Sequence, residues 1–361
     1  MSLNREKIIN VLKGIFVQDD NNLIDAGYLD QLKVIDNTID LDIRVNNPTL
    51  QFKNKLKKLI KEPILKLYPK TILNITFVVK KEKSSTPLSN VKNIIAVASG
   101  KGGVGKSTVS SNLAVSLVKL GYKVGIIDAD IYGPSLPLMF DVETEKPRKV
   151  EKNNQSLISP VENHGVKIMS IGFFSSSSDA IVWRGPMATK ALKTIITQTD
   201  WGELDYLLID LPPGTSDIHL SLVQTVPLTG ALVVSTPQAV SLIDASKAIN
   251  MFQLKDIKVP VLGLVENMSW YLIGENKHYI FGRDGGKSLS ESSQVPLLIE
   301  LPLNQTIREA GDVGRPVALQ NTDLGGLFLS LATRLVEEID LRNQKLPKTK
   351  KVEISHNRGC N

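Results

Sequence analysis

Gly100-Lys101-Gly102-Gly103-Val104-Gly105-Lys106-Ser107 has the residue types and spacing of a loop that grips phosphate, G-x-x-x-x-G-K-[ST]. Glycine at positions 100, 102, 103 and 105 lets the backbone bend until successive N–H groups converge on phosphate oxygens. A helix starting at Ser107, with Thr108 in its first turn, aims its positive dipole end at the same anion. Lys106 then meets the β- and γ-phosphates, and the Ser107 hydroxyl ligates Mg²⁺. Lys101 is a second cation inside the loop and cannot easily fold back onto its own glycines. It is therefore available to a nucleotide held by a second subunit, as an arginine finger is supplied in trans, which points to a homodimer. A solvated lysine accounts for Lys101 equally well on the residues alone.

Carboxylates follow at the spacing phosphoryl transfer needs. Lys123 to Ile127 reads as a strand ending in Asp128-Ala129-Asp130, so both acids leave its carboxyl end, the edge where open parallel sheets bind ligands. Asp130 is the candidate for orienting an attacking water, with Asp128 as its partner or an indirect Mg²⁺ ligand. A third apolar run, Tyr206 to Ile209, closes on Asp210, which fits the Walker B role on Mg²⁺. A lone strand-end aspartate is more often a turn cap; three phosphate-linked features in order set that reading aside. Leu211-Pro212-Pro213-Gly214-Thr215 then reads as a switch that senses the γ-phosphate. The catalytic set is Lys101, Lys106 and Asp130.

The elements that must position these residues are legible in the hydrophobic pattern. Ile94 to Ala98 is a β-branched run ahead of the loop, and the residues from Ser107 to Leu120 have helical character, so the loop joins a buried strand to a helix. The fold class expected is α/β, a doubly wound, mainly parallel sheet carrying the loop, with a small α+β domain ahead of it. The polar, proline-bearing stretch around 81–92 reads as a linker between a domain at 1–80 and one at 93–342, with a basic tail at 343–361. The first domain shows a helix (Arg5 to Leu12), strands at Val34 to Ile35 and Ile39 to Val45, a helix (Leu50 to Lys66) and a strand (Ile72 to Val79). A serine-rich stretch from Phe174 to Asp179 reads as a flexible loop, a plain connection more readily than a lid, and Leu324 to Leu341 as a final helix with one apolar face.

Long stretches of this chain resemble the Mrp family of P-loop ATPases, relatives of the MinD and ParA proteins. The stretches are Ile94 to Ser107, Asp128 to Ser135, Trp183 to Met187, Trp201 to Asp217, Thr236 to Gln238 and Gly263 to Ser269. The resemblance implies a dimeric, ATP-hydrolysing carrier or scaffold for iron-sulfur clusters, with apoprotein recipients or assembly proteins as partners. It makes Lys101 the deviant Walker lysine, Asp130 the residue near the attacking water and Asn267 a contact to adenine. Asn267 has a case of its own, since it follows an apolar strand and an amide matches both donor and acceptor edges of a base. Leu301-Pro302-Leu303-Asn304 would close over the other side of the base, an ordinary strand-to-loop exit being the other reading of its proline.

The family's C-x-x-C pair, which lets two subunits hold one bridging cluster, is expected shortly after Glu266-Asn267-Met268-Ser269. The stretch from Trp270 to Gly282 has no cysteine, and the sole cysteine is Cys360, so no cluster ligands are identifiable. His278 lies in that stretch as a substitute ligand, although one of four scattered histidines is more often a surface residue. The small domain resembles one often fused to Mrp proteins and linked to iron-sulfur assembly, but its loop Asn46 to Gln51 also lacks cysteine. A docking or regulatory module and a mere packing appendage both remain open for it. The missing pair keeps a second function in view, a ParA or MinD-like positioning switch that carries no cluster.

Composition bounds the rest. The 361 residues are 42% hydrophobic and 22% charged, which is globular composition with material for two domains. A single cysteine excludes an internal disulfide framework and suits a reducing cytoplasm. The formal charge of +6 is modest; the basic runs at Lys53 to Lys70 and Lys345 to Lys351 read as solvated faces. No nucleic-acid or membrane partner is expected, and no stretch reaches the roughly 20 apolar residues of a membrane span.

Overall fold

The computed structural model describes residues 3–18, 21–44, 50–78, 88–152, 155–174, 185–215, 217–347 and 349. Most of the expected linker, the 46–49 loop, the serine-rich stretch after Phe174, Trp183, Arg184 and Cys360 lie outside the described residues. The chain divides into two compact units, Met1–Ser84 and Ser85–Asn361.

The first unit begins with α1 (Arg5–Lys13), whose first turn is capped by the Asn4 side chain accepting from the Glu6 and Lys7 N–H groups at 2.9 and 3.2 Å. After a short pair, β1 (Phe16–Gln18) and β2 (Asn21–Asn22), come β3 (Leu29–Ile35), β4 (Thr38–Arg44), α2 (Leu50–Leu67) and β5 (Ile72–Val78). The sheet order is β3-β4-β5, antiparallel across the first pair and parallel across the second. Along β4, Ile39, Leu41 and Ile43 alternate inward and meet Leu56, Ile60 and Ile64 of α2 in one core. The sequence predicts β3 only from Val34, five residues late. A register shift between Leu29 and Gln31 explains the miss, because a bulge breaks the period-two signal. The β1/β2 pair was also not expected, being too short to carry a pattern.

The second unit is built on an eight-stranded sheet. It starts with β6 (Val91–Ala98), α3 (Lys106–Lys119), β7 (Val124–Asp128) and the single-turn α4 (Leu136–Met139). A hairpin of β8 (Arg148–Lys152) and β9 (Gln155–Ser159) stands apart from the sheet, which resumes with β10 (Val161–Asn163) and β11 (Val166–Ser170). The chain continues through α5 (Gly185–Gln198), β12 (Leu204–Asp210), α6 (Asp217–Thr225), β13 (Gly230–Ser235), α7 (Ala239–Gln253) and β14 (Val261–Glu266). A second hairpin, β15 (Tyr271–Ile273) and β16 (Asn276–His278), precedes α8 (Gly285–Ser293), β17 (Leu297–Glu300), α9 (Gln305–Asp312) and α10 (Asp323–Lys345).

The sheet order is β10-β11-β7-β12-β6-β13-β14-β17, parallel throughout except for β10 against β11. The strands at its centre are buried along nearly their whole length and apolar between their ends, as burial on both faces demands. Helix α3 is buried from Val109 to Leu117 and packs against α10, which runs on to Lys345, one turn beyond the predicted end at Leu341. Arg342 and Lys345 look like the start of a tail in sequence, but cations at a helix carboxyl end favour its last turn. Among the described residues no helix is long and apolar enough to cross a membrane.

Candidate functional site

Parallel register brings three strand ends side by side: Ser170 of β11 pairs with Asp128 of β7, and Asp128 with Asp210 of β12. The glycine loop leaves β6 next to them and turns into α3 at Gly105, a left-handed residue with φ 82°. A β-carbon on Gly105 would lie 2.3 Å from Asn267 Nδ2, so glycine is required there twice over. At the loop's start a β-carbon on Gly100 would stand 2.1 Å from the carbonyl carbon of Asp244, which shows how closely α7 abuts the loop. Lys101 is exposed at the rim, whereas Lys106 is only 6% exposed.

The buried lysine is satisfied by one carboxylate. Lys106 Nζ lies 2.8 Å from Asp210 Oδ2, and Asp210 is fully buried. The Ser107 hydroxyl donates to the same Oδ2 at 2.6 Å. Ser110 donates to the other oxygen, Oδ1, also at 2.6 Å. Sequence reasoning missed Ser110, although its spacing of three from Ser107 places both hydroxyls on one helix face.

The structure locates Asp128 differently from a free strand-end acid. Its Oδ1 accepts from the Asp130 N–H at 3.2 Å, and its Oδ2 from the N–H groups of Ser135 and Leu136 at 2.9 and 3.0 Å and from the Ser170 hydroxyl at 3.2 Å. Asp128 thus closes the turn that carries Asp130 into α4. Burial raises its pKa to about 7, with Asp210 adding to the rise and the Leu136 N–H and Lys106 opposing it. Asp130 is partly exposed; burial raises its pKa too, with Lys106 pulling back and Asp210 pushing up.

The expected base site is built from the ends of β14 and β17. Asn267 is 8% exposed, and its Nδ2 donates to the Val104 carbonyl at 2.9 Å, a tie to the phosphate loop that the sequence did not reveal. Ser269 N–H bonds Leu301 O at 2.9 Å and Leu303 N–H bonds Trp270 O at 2.7 Å, so the segment holding the buried Pro302 is stitched to the Asn267 turn. The stretch from Trp270 to Gly282 contains the β15–β16 hairpin, with Leu272 and Ile273 49% and 57% exposed and Lys277 lying 3.9 Å from the centre of the Trp270 ring. His278 is exposed there opposite Tyr271. Among the described residues no group of three or more His, Cys, Asp or Glu could hold a metal ion.

The family model of ParA, described as NUBPL iron-transfer P-loop NTPase, matches residues 90–336. The chain belongs to this family. As a ParA/NUBPL-type P-loop NTPase it is 45% identical over 272 residues to a Haemophilus influenzae protein named iron-sulfur cluster carrier protein, covering 74% of this chain and 72% of the relative. It is 42% identical over 261 residues to the iron-sulfur cluster transfer protein NUBPL of Dictyostelium discoideum, covering 71% and 79% of the two chains. Among solved structures, a nucleotide-binding protein from Archaeoglobus fulgidus in complex with ADP superposes with a TM-score of 0.58 at 36% identity, covering 67% of this chain and 94% of its own. The Pyrococcus furiosus cell division ATPase MinD superposes with a TM-score of 0.51 at 25% identity, covering 68% and 98%. The Mrp, MinD and ParA kinship expected from the sequence, and the α/β P-loop architecture, are both borne out by these matches.

Proposed function

We propose that this ParA/NUBPL-type NTPase binds and slowly hydrolyses ATP as a cytoplasmic homodimer, and that the ATP cycle drives assembly of iron-sulfur clusters or their transfer to apoproteins. The observation that carries the ATP part is the Lys106–Asp210–Ser107 cluster, its lysine and carboxylate buried, beside the glycine loop. Its donors are hydroxyl and carboxylate oxygens, a set that fits Mg²⁺ and not a soft metal. When bound, Mg²⁺ supplies neutralisation of charge on the β- and γ-phosphate oxygens. Ser107 and Asp210 would hold it, with Asp128 acting from behind through the turn it closes.

Lys106 and the loop N–H groups from Gly100 to Thr108, with Val104 among them, grip the phosphates. Asp130 orients the attacking water. Lys101, free at the rim, reaches the nucleotide of the second subunit. Asn267 and Pro302 flank the base; the bond to Val104 uses one of the amide's two N–H groups and leaves the other and the oxygen for a base edge.

The cluster is cargo. The names of the carrier and transfer relatives support this part of the reading. A single cysteine per chain, Cys360, falls short of the four thiolates a cluster usually takes, so ligands from outside the protomer complete the site. The positioning-switch alternative draws only on the missing cysteine pair. Anaerobic reconstitution with iron counted per dimer, followed by transfer to an apo-acceptor with and without Mg-ATP, tests the proposal. ATP-dependent acceleration of transfer is expected; transfer indifferent to ATP and to this protein would overturn the cluster role.

A further inference from the structure

We propose that Ser110 is a positioning residue for the Mg²⁺ site, holding the Asp210 carboxylate in the one rotation that presents Oδ2 to Ser107 and the cation. The inference rests on the Mg-ATP reading of the loop and deepens it. A carboxylate at a strand end rotates about its terminal torsion unless both oxygens are held. Here Oδ2 is held by Ser107 and Lys106 at 2.6 and 2.8 Å, and Oδ1, among the described residues, by Ser110 alone, at 2.6 Å.

Ser110 is fully buried, and so is Asp210, so no solvent replaces that bond if it is lost. The hydroxyl has a single proton and two acceptors in reach, the carboxylate at 2.6 Å and the Lys106 carbonyl at 3.0 Å. The charged acceptor is nearer and forms the stronger bond. The backbone carbonyl, one helical turn back, remains as a resting place when the carboxylate is withdrawn. Ser110 therefore contributes nothing to phosphate gripping directly and acts on the cation through Asp210.

The same helix supplies an internal control. Ser116 is also fully buried, and its hydroxyl has no hydrogen-bond partner among the described residues. Ser116→Ala repeats the chemical change of Ser110→Ala on α3 without removing a bond to the site.

The test is binding of an N-methylanthraniloyl derivative of ATP, followed by fluorescence, in EDTA and across a Mg²⁺ titration. Ser110→Ala should raise the Mg²⁺ midpoint by roughly ten- to a hundredfold, the range expected for a lost hydrogen bond to a buried charge. Affinity in EDTA and the midpoint of Ser116→Ala should both stay within about twofold of wild type, the scatter of independent sites. Ser110→Cys, close in shape with a weaker donor, should fall between serine and alanine, and it carries the test if the alanine variant does not fold. An unchanged Mg²⁺ midpoint overturns the proposal, as does an equal loss of affinity with and without Mg²⁺. Wild-type protein that binds no analogue under either condition overturns instead the nucleotide reading beneath it.

Discussion

The glycine loop and the β15–β16 hairpin are two solvent-facing turns in one unit, and they are built on opposite principles. In the loop, polar and charged groups are pulled inward and satisfied: Lys106 and Asp210 pair in a buried setting, and two serines complete the carboxylate. In the hairpin, Tyr271, Leu272 and Ile273 stand 40%, 49% and 57% exposed, and the region where the family is expected to place thiolates has none. The first is specified by contacts that tolerate no change. The second is specified by its turn alone, so its side chains are free to differ between relatives.

Breaking the loop should therefore be severe. Lys106→Ala removes the cation that offsets a fully buried carboxylate. ATP turnover, measured as phosphate release, should fall below detection, and stability should drop by about 3 kcal/mol in a denaturant melt, as when one partner of a buried pair is lost. Normal turnover by this variant would contradict the assignment of the site. Gly100→Ala comes next. Its β-carbon would sit 2.1 and 2.2 Å from the carbonyl carbon and oxygen of Asp244, so α7 or the loop must shift. Overpacking of this kind costs about 1–3 kcal/mol or more, and nucleotide affinity should fall with it. Gly274→Ala in the hairpin is the matched control, with φ 62° and no atom within 4 Å of the new carbon. Only left-handed strain remains there, about 1 kcal/mol, and nucleotide binding should not change.

The contrast sharpens with Leu272→Ser combined with Ile273→Ser. About half of each residue is in water already, so thermal stability should move by no more than about 0.5 kcal/mol per residue. Phosphate release without a partner should be unaltered. A large loss of stability would mean that the hairpin is covered in solution, and the two regions would then be less different than they look.

What was legible in the sequence follows the same division. The loop, the strand before it, the helix after it and the strands ending at Asp128 and Asp210 were read because local pattern and motif agree there. Ser110, the Asn267–Val104 bond and the approach of Asp244 to Gly100 were not, because each joins residues that only the folded sheet brings together or that repeat a common helix composition. The β8–β9 and β15–β16 hairpins escaped for another reason. Their strands are three to five residues long and largely exposed, so they carry no inward-facing alternation to detect. The early start of β3 was hidden by its bulge.

The smallest effect expected lies at the opposite, amino-terminal edge of the sheet, where charges are solvated instead of buried. Asp205 accepts from Lys92 Nζ at 2.7 Å and from the Lys123 N–H at 2.8 Å. The Lys92 bond, then that N–H, hold its carboxyl below the usual carboxylate range. A carboxyl whose pKa is lower in the folded chain binds fewer protons there, so its contribution to stability is complete above the unfolded value, about 3.9. That contribution is lost as pH falls through the folded value. The gap in melting temperature between wild type and Asp205→Asn should accordingly be steady from pH 7 to about 5 and close as the pH is taken below about 4. Salt should shrink it at every pH, since Lys92 is 74% exposed and such pairs are screened. A gap that widens on acidification, or ignores salt, would place a buried interaction at this edge too and remove the distinction between the two ends of the sheet.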